Sequence, residues 1–193
     1  GYKQEISLFY GAAGTGKTTL CYIVTINKAS KGKVIYIDTE NGFSLERFKQ
    51  IAGEAYKKLL DNVLMFKIKS FKDQQLKIKN LLEIIKKTKI SLIIIDTIGY
   101  YYRTLVNSEP DLANKMLNSQ LRILKYISKN IPVIVTSQVY ADISNNRTSI
   151  IGGFVLKDYY KNLINLEKNN KRLLIFNKLK LEFEINNEGI KVF

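Results

Sequence analysis

The stretch Gly11-Ala12-Ala13-Gly14-Thr15-Gly16-Lys17-Thr18 constrains this chain more than any other. It fits G-x-x-x-x-G-K-[ST], the spacing of a phosphate-binding loop. Ile6 to Tyr10 before it is apolar enough for a buried strand, and Thr19 to Asn27 after it reads as a helix. Strand, glycine turn and helix is the context such a loop needs, because a helix start offers unpaired N–H groups and the positive end of a dipole. Gly11, Gly14 and Gly16 lack a Cβ, so the backbone can turn sharply and approach a polyphosphate as an anion nest. On this reading Lys17 reaches the β- and γ-phosphates of ATP and Thr18 sets its hydroxyl on Mg2+. The plainer alternative is a glycine turn that happens to end in Lys-Thr, and the flanks speak against it.

The chain has 193 residues, enough for a substantial core, and is expected to form one domain over 1–193. No run of about 18 apolar residues is present, so no membrane span is expected. Nothing at the start reads as a secretory signal. The one cysteine, Cys21, excludes an internal disulfide and suits a reducing cytosol, so the expected location is cytoplasmic. Its plainer reading is a small buried apolar residue. With no His, histidine acid–base chemistry and histidine metal sites are excluded, which leaves Mg2+ held by oxygens. The net charge of +14 invites a polyanion. Nearly all the cations are lysines beside abundant Ile and Asn, however, so compositional bias competes with nucleic-acid binding as its cause.

Further along, Lys33 to Asp38 is a short apolar strand running into Asp38-Thr39-Glu40-Asn41-Gly42. In an open parallel sheet the carboxyl edge is where ligands bind, which aims Glu40 at the same crevice as the glycine loop. There it could orient or deprotonate the attacking water; a loop carboxylate facing solvent is the competing reading. Ser44 is expected to cap a helix over 44–52, and 62–67 to form a third strand. Residues 74–87 have the period of an amphipathic helix. Ser91 to Asp96 is a continuous β-branched run ending in Asp, as a central parallel strand presents it, and Asp96 is expected to bind Mg2+ through water opposite Thr18. Residues 99–110 are expected to form a long loop, whose three tyrosines before Arg103 either stack on bases or pack beneath it. Asp111 is expected to cap a helix to about Lys129, and 131–138 to be a buried strand delivering Gln138 to the crevice. Residues 141–149, with Arg147, have loop composition. After Gly152-Gly153 the pattern becomes short strands and turns, a meander of hairpins added to the parallel sheet, with Lys178 and Lys180 on one face if their strand is regular.

Taken in order, the glycine loop, Tyr36-Ile-Asp38-Thr39-Glu40, Leu45-Glu46-Arg47-Phe48, Leu92 to Thr97, Val133 to Val139 and Ile151-Gly152-Gly153 resemble the RecA/RadA recombinase core, and most closely the short archaeal RadB group. The resemblance runs from Glu5 to Phe193. It implies an α/β fold: a RecA-like P-loop core with a mostly parallel sheet, helices on both faces and C-terminal antiparallel hairpins. It also implies that Glu40 is the water-activating glutamate, Gln138 the γ-phosphate sensor and Arg47 a neighbour of the adenine. Residues 103–112 and 140–151 then correspond to DNA-facing loops, and Lys178 and Lys180 to lysines that reach a neighbouring subunit's γ-phosphate.

The function expected from these readings is ATP and DNA binding in homologous recombination and repair, with weak Mg2+-dependent hydrolysis. The catalytic set is Lys17, Glu40 and Gln138; Gly11 to Thr19 and Arg47 hold the nucleotide, Thr18 and Asp96 the metal, and Arg103 and Arg147 the DNA. The expected partners are single-stranded or branched DNA, a recombinase or other repair protein, and a second copy of the chain. A KaiC-like signalling ATPase, a non-hydrolysing recombination mediator and a small-molecule kinase are the alternatives.

Overall fold

The computed structural model describes residues 6–142, 147–150 and 159–193. β1 (Ile6–Gly11) runs into the glycine turn and α1 (Lys17–Ala29) leaves it. Then follow β2 (Lys33–Asp38), α2 (Leu45–Ala52), a single 3-10 turn, α3 (Tyr56–Leu60), β3 (Val63–Lys67), α4 (Phe71–Lys87) and β4 (Ile90–Asp96). The second half holds α5 (Tyr100–Val106), α6 (Pro110–Ile127), β5 (Val133–Asp142), β6 (Arg147–Ile150), β7 (Asn162–Lys168), β8 (Arg172–Phe176), β9 (Leu179–Asn186) and β10 (Gly189–Val192). The strands form one sheet in the order β10-β9-β8-β7-β1-β5-β4-β2-β3, with β6 paired to β5 alone. From β3 to β7 the neighbours are parallel, and β7 to β10 form antiparallel hairpins. The mixed α/β architecture expected from the sequence is the one found.

The composition of the central strands follows from this arrangement. Successive side chains of a strand point to opposite faces, so a strand covered on both sides must be apolar throughout. Ile93 and Ile95 of β4 join Ile35, Ile37, Val133 and Val135 beneath Ile78 and Leu81 of α4 and Leu117 and Leu121 of α6. Leu92 and Ile94 join Val34, Tyr36 and Ile134 beneath Cys21 and Val24 of α1 and Phe48 of α2. The hairpins extend this second core, through Leu174, Phe183, Ile185 and Ile190.

Local signals set most element ends. Ser44 caps α2, its Oγ accepting from the Arg47 N–H at 3.1 Å. Helix α4 begins earlier than its apolar period suggests: Ser70 Oγ accepts from the Asp73 N–H at 3.1 Å, and Asp73 accepts in return from the Lys69 N–H at 3.0 Å. At α6 the expected cap is corrected: Pro110 takes the first helical position, so Asp111 lies inside the first turn and Glu109 precedes the helix without a side-chain cap.

Two expected loops are corrected as well. Residues 100–106 form α5, because its tyrosines find partners. Tyr101 OH donates to the Ile68 carbonyl at 2.8 Å, and buried Tyr102 OH donates to Asn114 Oδ1 at 2.8 Å, while Tyr100 stays exposed. Within 141–149, β5 continues to Asp142 and returns as β6, with Asp142 opposite Arg147. The Gly152-Gly153 pair lies outside the described residues, as does the tip of the β5–β6 hairpin.

Gly11 is fixed by close approach. A Cβ there would sit 2.1 Å from the Leu166 carbonyl oxygen of β7, and its φ is +154°. Gly11→Ala is expected to destabilise the fold by about 2 kcal/mol or more, because backbone rather than a flexible side chain must give way. Urea unfolding with an unchanged slope and a lowered midpoint would check it.

Candidate nucleotide site

The glycine loop rises from the carboxyl end of β1 and closes on itself. Gly14 and Gly16 take φ of +73° and +109°, and buried Thr15 donates from Oγ1 to the Ala12 carbonyl at 2.9 Å. Helix α1 starts at Lys17 with no side-chain cap and no acid in its first turn. Its first N–H groups and its positive dipole end are therefore turned toward the loop without a competing anion. Lys17 Nζ donates to the carbonyls of Gly11 at 2.9 Å and Ala12 at 2.7 Å. Burial pushes its ammonium below the ordinary lysine range, opposed by the negative charges of Asp96 and Glu40.

These residues line a cavity of about 290 Å³ at the carboxyl ends of the parallel strands. Ala13, Gly14, Gly16, Thr18 and Thr19 come from the loop and α1, Asp38 and Glu40 from the end of β2, Asp96 and Thr97 from the end of β4, and Gln138 from β5. Ile185 of β9 forms one wall, so the C-terminal hairpins take part.

Asp96 is held from three sides. Its Oδ2 accepts from Thr18 Oγ1 at 3.0 Å and from Tyr36 OH at 2.7 Å, and its Oδ1 accepts from Thr136 Oγ1. Burial first, and then the charge of Asp96, holds the Tyr36 hydroxyl well above its ordinary value, which keeps it a donor. Thr39 ties the ends of β2 and β4 together: its Oγ1 donates to the Thr97 carbonyl at 2.7 Å and accepts from the Thr97 N–H at 2.8 Å.

The loop bearing Glu40 is also anchored. The Asp38 carboxylate accepts from the N–H groups of Glu40, Gly42 and Phe43 at 3.2, 3.2 and 2.9 Å. Tyr22 OH, from α1, accepts from the Ser44 N–H at 2.8 Å and donates to the Gly42 carbonyl at 3.3 Å. Glu40 then meets Gln138, whose Nε2 donates to its Oε1 at 3.2 Å. Burial, and next the charge of Asp96, raises the Glu40 carboxyl; Lys17, a hydrogen bond from Thr97 and the charge of Arg103 pull it down.

A divalent cation fits this donor set in one way. Among the described residues no group of three or more His, Cys, Asp or Glu side chains could hold a metal. Thr18 and Asp96 together offer a hydroxyl and a single carboxylate, the sparse protein share typical of Mg2+ completed by phosphates and water.

The model of the Rad51 family matches residues 2–175. The chain belongs to the Rad51 family. Its relatives include archaeal proteins. It is 38% identical to the "DNA repair and recombination protein RadB" of Methanocaldococcus jannaschii, over 98% of this chain and 94% of the relative. It is 38% identical to the protein of the same name from Methanosphaera stadtmanae, over 86% and 74%, and 32% identical to that of Methanoculleus marisnigri, over 98% and 89%.

Of the remaining predicted positions, those with described side chains do not line the cavity. Arg47 does not line it; its guanidinium donates to the carbonyls of Asn186 at 2.6 Å and Asn187 at 3.3 Å, clamping the β9–β10 turn onto α2. Arg103 is exposed on α5, close enough to act on Glu40. Arg147 stands on β6; its side chain lies outside the described residues. Lys178 and Lys180 do not share a strand face. Lys178 occupies the two-residue turn between β8 and β9, beside Asn177 at φ +55°, and only Lys180 is on β9. Along β9 Lys180 is five residues from Ile185, about 17 Å by strand rise, so neither lysine reaches its own chain's cavity.

Sequence reasoning passed over Tyr36, Tyr22, Thr136 and Ile185. Tyr36 and Thr136 each carry a hydroxyl inside an apolar strand, which is the signal they offer, but their partner is 60 and 40 residues away. Tyr36→Phe removes a donor from a buried carboxylate and is expected to cost about 1.5–3 kcal/mol of stability at pH 7. Chemical denaturation of the two proteins in parallel would measure it, and an unchanged midpoint would mean that Asp96 does not depend on this bond.

Proposed function

We propose that this chain binds ATP and Mg2+ in the cavity, binds DNA, and acts in DNA repair and homologous recombination, with slow hydrolysis of the nucleotide. The observation that carries the reading is the convergence of an uncapped glycine-loop helix, Lys17, Thr18, Asp96, Glu40 and Gln138 on one cavity. The names of the archaeal relatives support the biological role.

The residues divide the work. Main-chain N–H groups of residues 13–18 cradle the phosphates, and Lys17 exchanges its two loop carbonyls for phosphate oxygens. Thr18 and Asp96 hold Mg2+, which neutralises phosphate charge when bound. Glu40, raised by burial yet still the nearest base at the rim, orients the attacking water and accepts its proton. Gln138 releases Glu40 to meet the γ-phosphate. Because β5 runs unbroken from Gln138 to Asp142, that exchange is transmitted to the β5–β6 hairpin bearing Arg147. Arg103 and Arg147 then contact DNA, and Arg47 sits at the adenine side while it braces the hairpins. Lys178 and Lys180 serve a neighbouring copy's nucleotide, which makes self-association part of full activity. The whole operates as one domain in the cytoplasm.

Lys17→Ala is expected to abolish ATP binding with the fold intact; unchanged affinity in calorimetry would refute the phosphate-loop role. Glu40→Gln should keep ATP binding and lose phosphate release in single-turnover assays. In the wild-type chain the rate should fall as pH drops through a value above the ordinary glutamate range, since only the ionised carboxylate takes the proton. No phosphate release at any pH by excess wild-type protein would favour a non-hydrolysing mediator.

A further inference from the structure

We propose that the pole opposite the nucleotide cavity is a second contact surface for single-stranded DNA, centred on Tyr126. The proposal rests on the DNA-binding reading above.

The fold segregates charge. Strands run toward the cavity and the helices between them run back, so helix ends and strand starts gather at the far pole. Lys31 and Lys33 follow α1, Lys87 and Lys89 join α4 to β4, and Lys129 follows α6. Lys33 pairs with Ile90 across the sheet, and Ser91 Oγ donates to the Lys33 carbonyl at 3.0 Å, so the first two connections are in contact. Asp38, Glu40 and Asp96 stand at strand ends on the cavity side, with Asp73 and Asp111 in first helical turns; Asp61, before β3, and Glu83, on α4, stand among the lysines of the far pole. A helix dipole favours a cation in the last turn. One lysine per helix would satisfy it; α4 and the residues after it supply Lys86, Lys87 and Lys89, a surplus that packing does not require.

Beside this surplus lies an open groove of about 520 Å³ between α4 and α6. Leu82, Ile85 and Ile123 line it, with Lys86 and Arg122 as its cations. Its acid, Glu83, is already paired with Lys86 at 2.8 Å. Tyr126 stands at the groove with 62% of its surface exposed, and Lys129 Nζ lies 5.9 Å from its ring centroid. A wet aromatic ring flanked by cations stacks an unpaired base while ammonium groups reach the neighbouring phosphates. A protein helix would also fill an apolar groove, but Arg122 and Lys129, beside the mutually neutralised Lys86–Glu83 pair, leave the groove net positive, which favours a polyanion. The bases of a duplex are stacked on each other, which restricts the ring to single strands. Strands of six or seven residues, about 20 Å long, separate this surface from the cavity edge, so the occupant does not compete with nucleotide.

Fluorescence anisotropy on the full chain tests this, with an oligothymidine of about 30 nucleotides and a duplex of equal length over a salt series. Tyr126→Ala is expected to raise the single-strand Kd about tenfold and Tyr126→Phe to keep it within about twofold. The combined Lys87→Gln, Lys89→Gln, Lys129→Gln variant should lower the single-strand salt slope by about 2. ATP affinity should be unchanged in all of them. Wild-type binding in both pole variants, alongside loss in Arg103→Ala with Arg147→Ala, would overturn the second surface and leave the proposed function standing. Equal losses on duplex and single strand in Tyr126→Ala would overturn stacking. Unchanged DNA binding with altered self-association in sedimentation would assign the groove to a protein and overturn the proposal. A wild-type chain that binds no DNA would remove both readings.

Discussion

The carboxylate of Asp96 is the point on which the site turns. It ends β4 and accepts hydroxyl donors from α1, β2 and β5, namely Thr18, Tyr36 and Thr136. A buried carboxylate costs several kcal/mol unless its lone pairs are met. Meeting them here requires three elements, far apart in sequence, to arrive in register. The same bonds that make the charge tolerable also set the relative heights of the glycine loop, the Glu40 loop and Gln138.

Support for the second carboxylate is of another kind. Glu40 sits at the cavity rim, and its position is delegated to the backbone beneath it. Asp38 collects three N–H groups of the loop, and Tyr22 reaches up from α1 to bind both Ser44 and Gly42. Burial raises the Glu40 carboxyl and lowers the Lys17 ammonium, so each is biased toward its neutral form while the charges between them resist it. The two shifts run in opposite directions because burial penalises the charged form of each, an anion in one case and a cation in the other. The hairpins complete the wall with Ile185 and are held by Arg47, so the antiparallel extension belongs to the site as much as the parallel core does.

Much of this was legible in the residue order. The glycine loop, the β-branched run to Asp96, the Ser44 cap and the turns of the meander each rest on local chemistry, and each stands where its motif predicts. Residues 100–106 and 141–149 read as loops because their stabilising partners are distant: Ile68 and Asn114 for the tyrosines of α5, and the facing strand for β6. The start of α4 was hidden because its cap, Ser70 with Asp73, precedes the apolar period. The shared face expected for Lys178 and Lys180 failed because Lys178 lies in the two-residue turn that precedes β9, and only Lys180 is on the strand.

The sequence alone determined the phosphate loop, the family and the alternation of strand and helix, since these depend on spacing within a few residues and on the periods of 2 and 3.6. Only the tertiary structure decided that Tyr36 and Thr136 hold Asp96, that Arg47 clamps a hairpin turn, that Ile185 walls the cavity and that lysines collect at the far pole. Those are contacts between elements tens of residues apart. They exist because strand order and helix direction bring the pieces together, and no local pattern encodes which hydroxyl will meet which carboxylate.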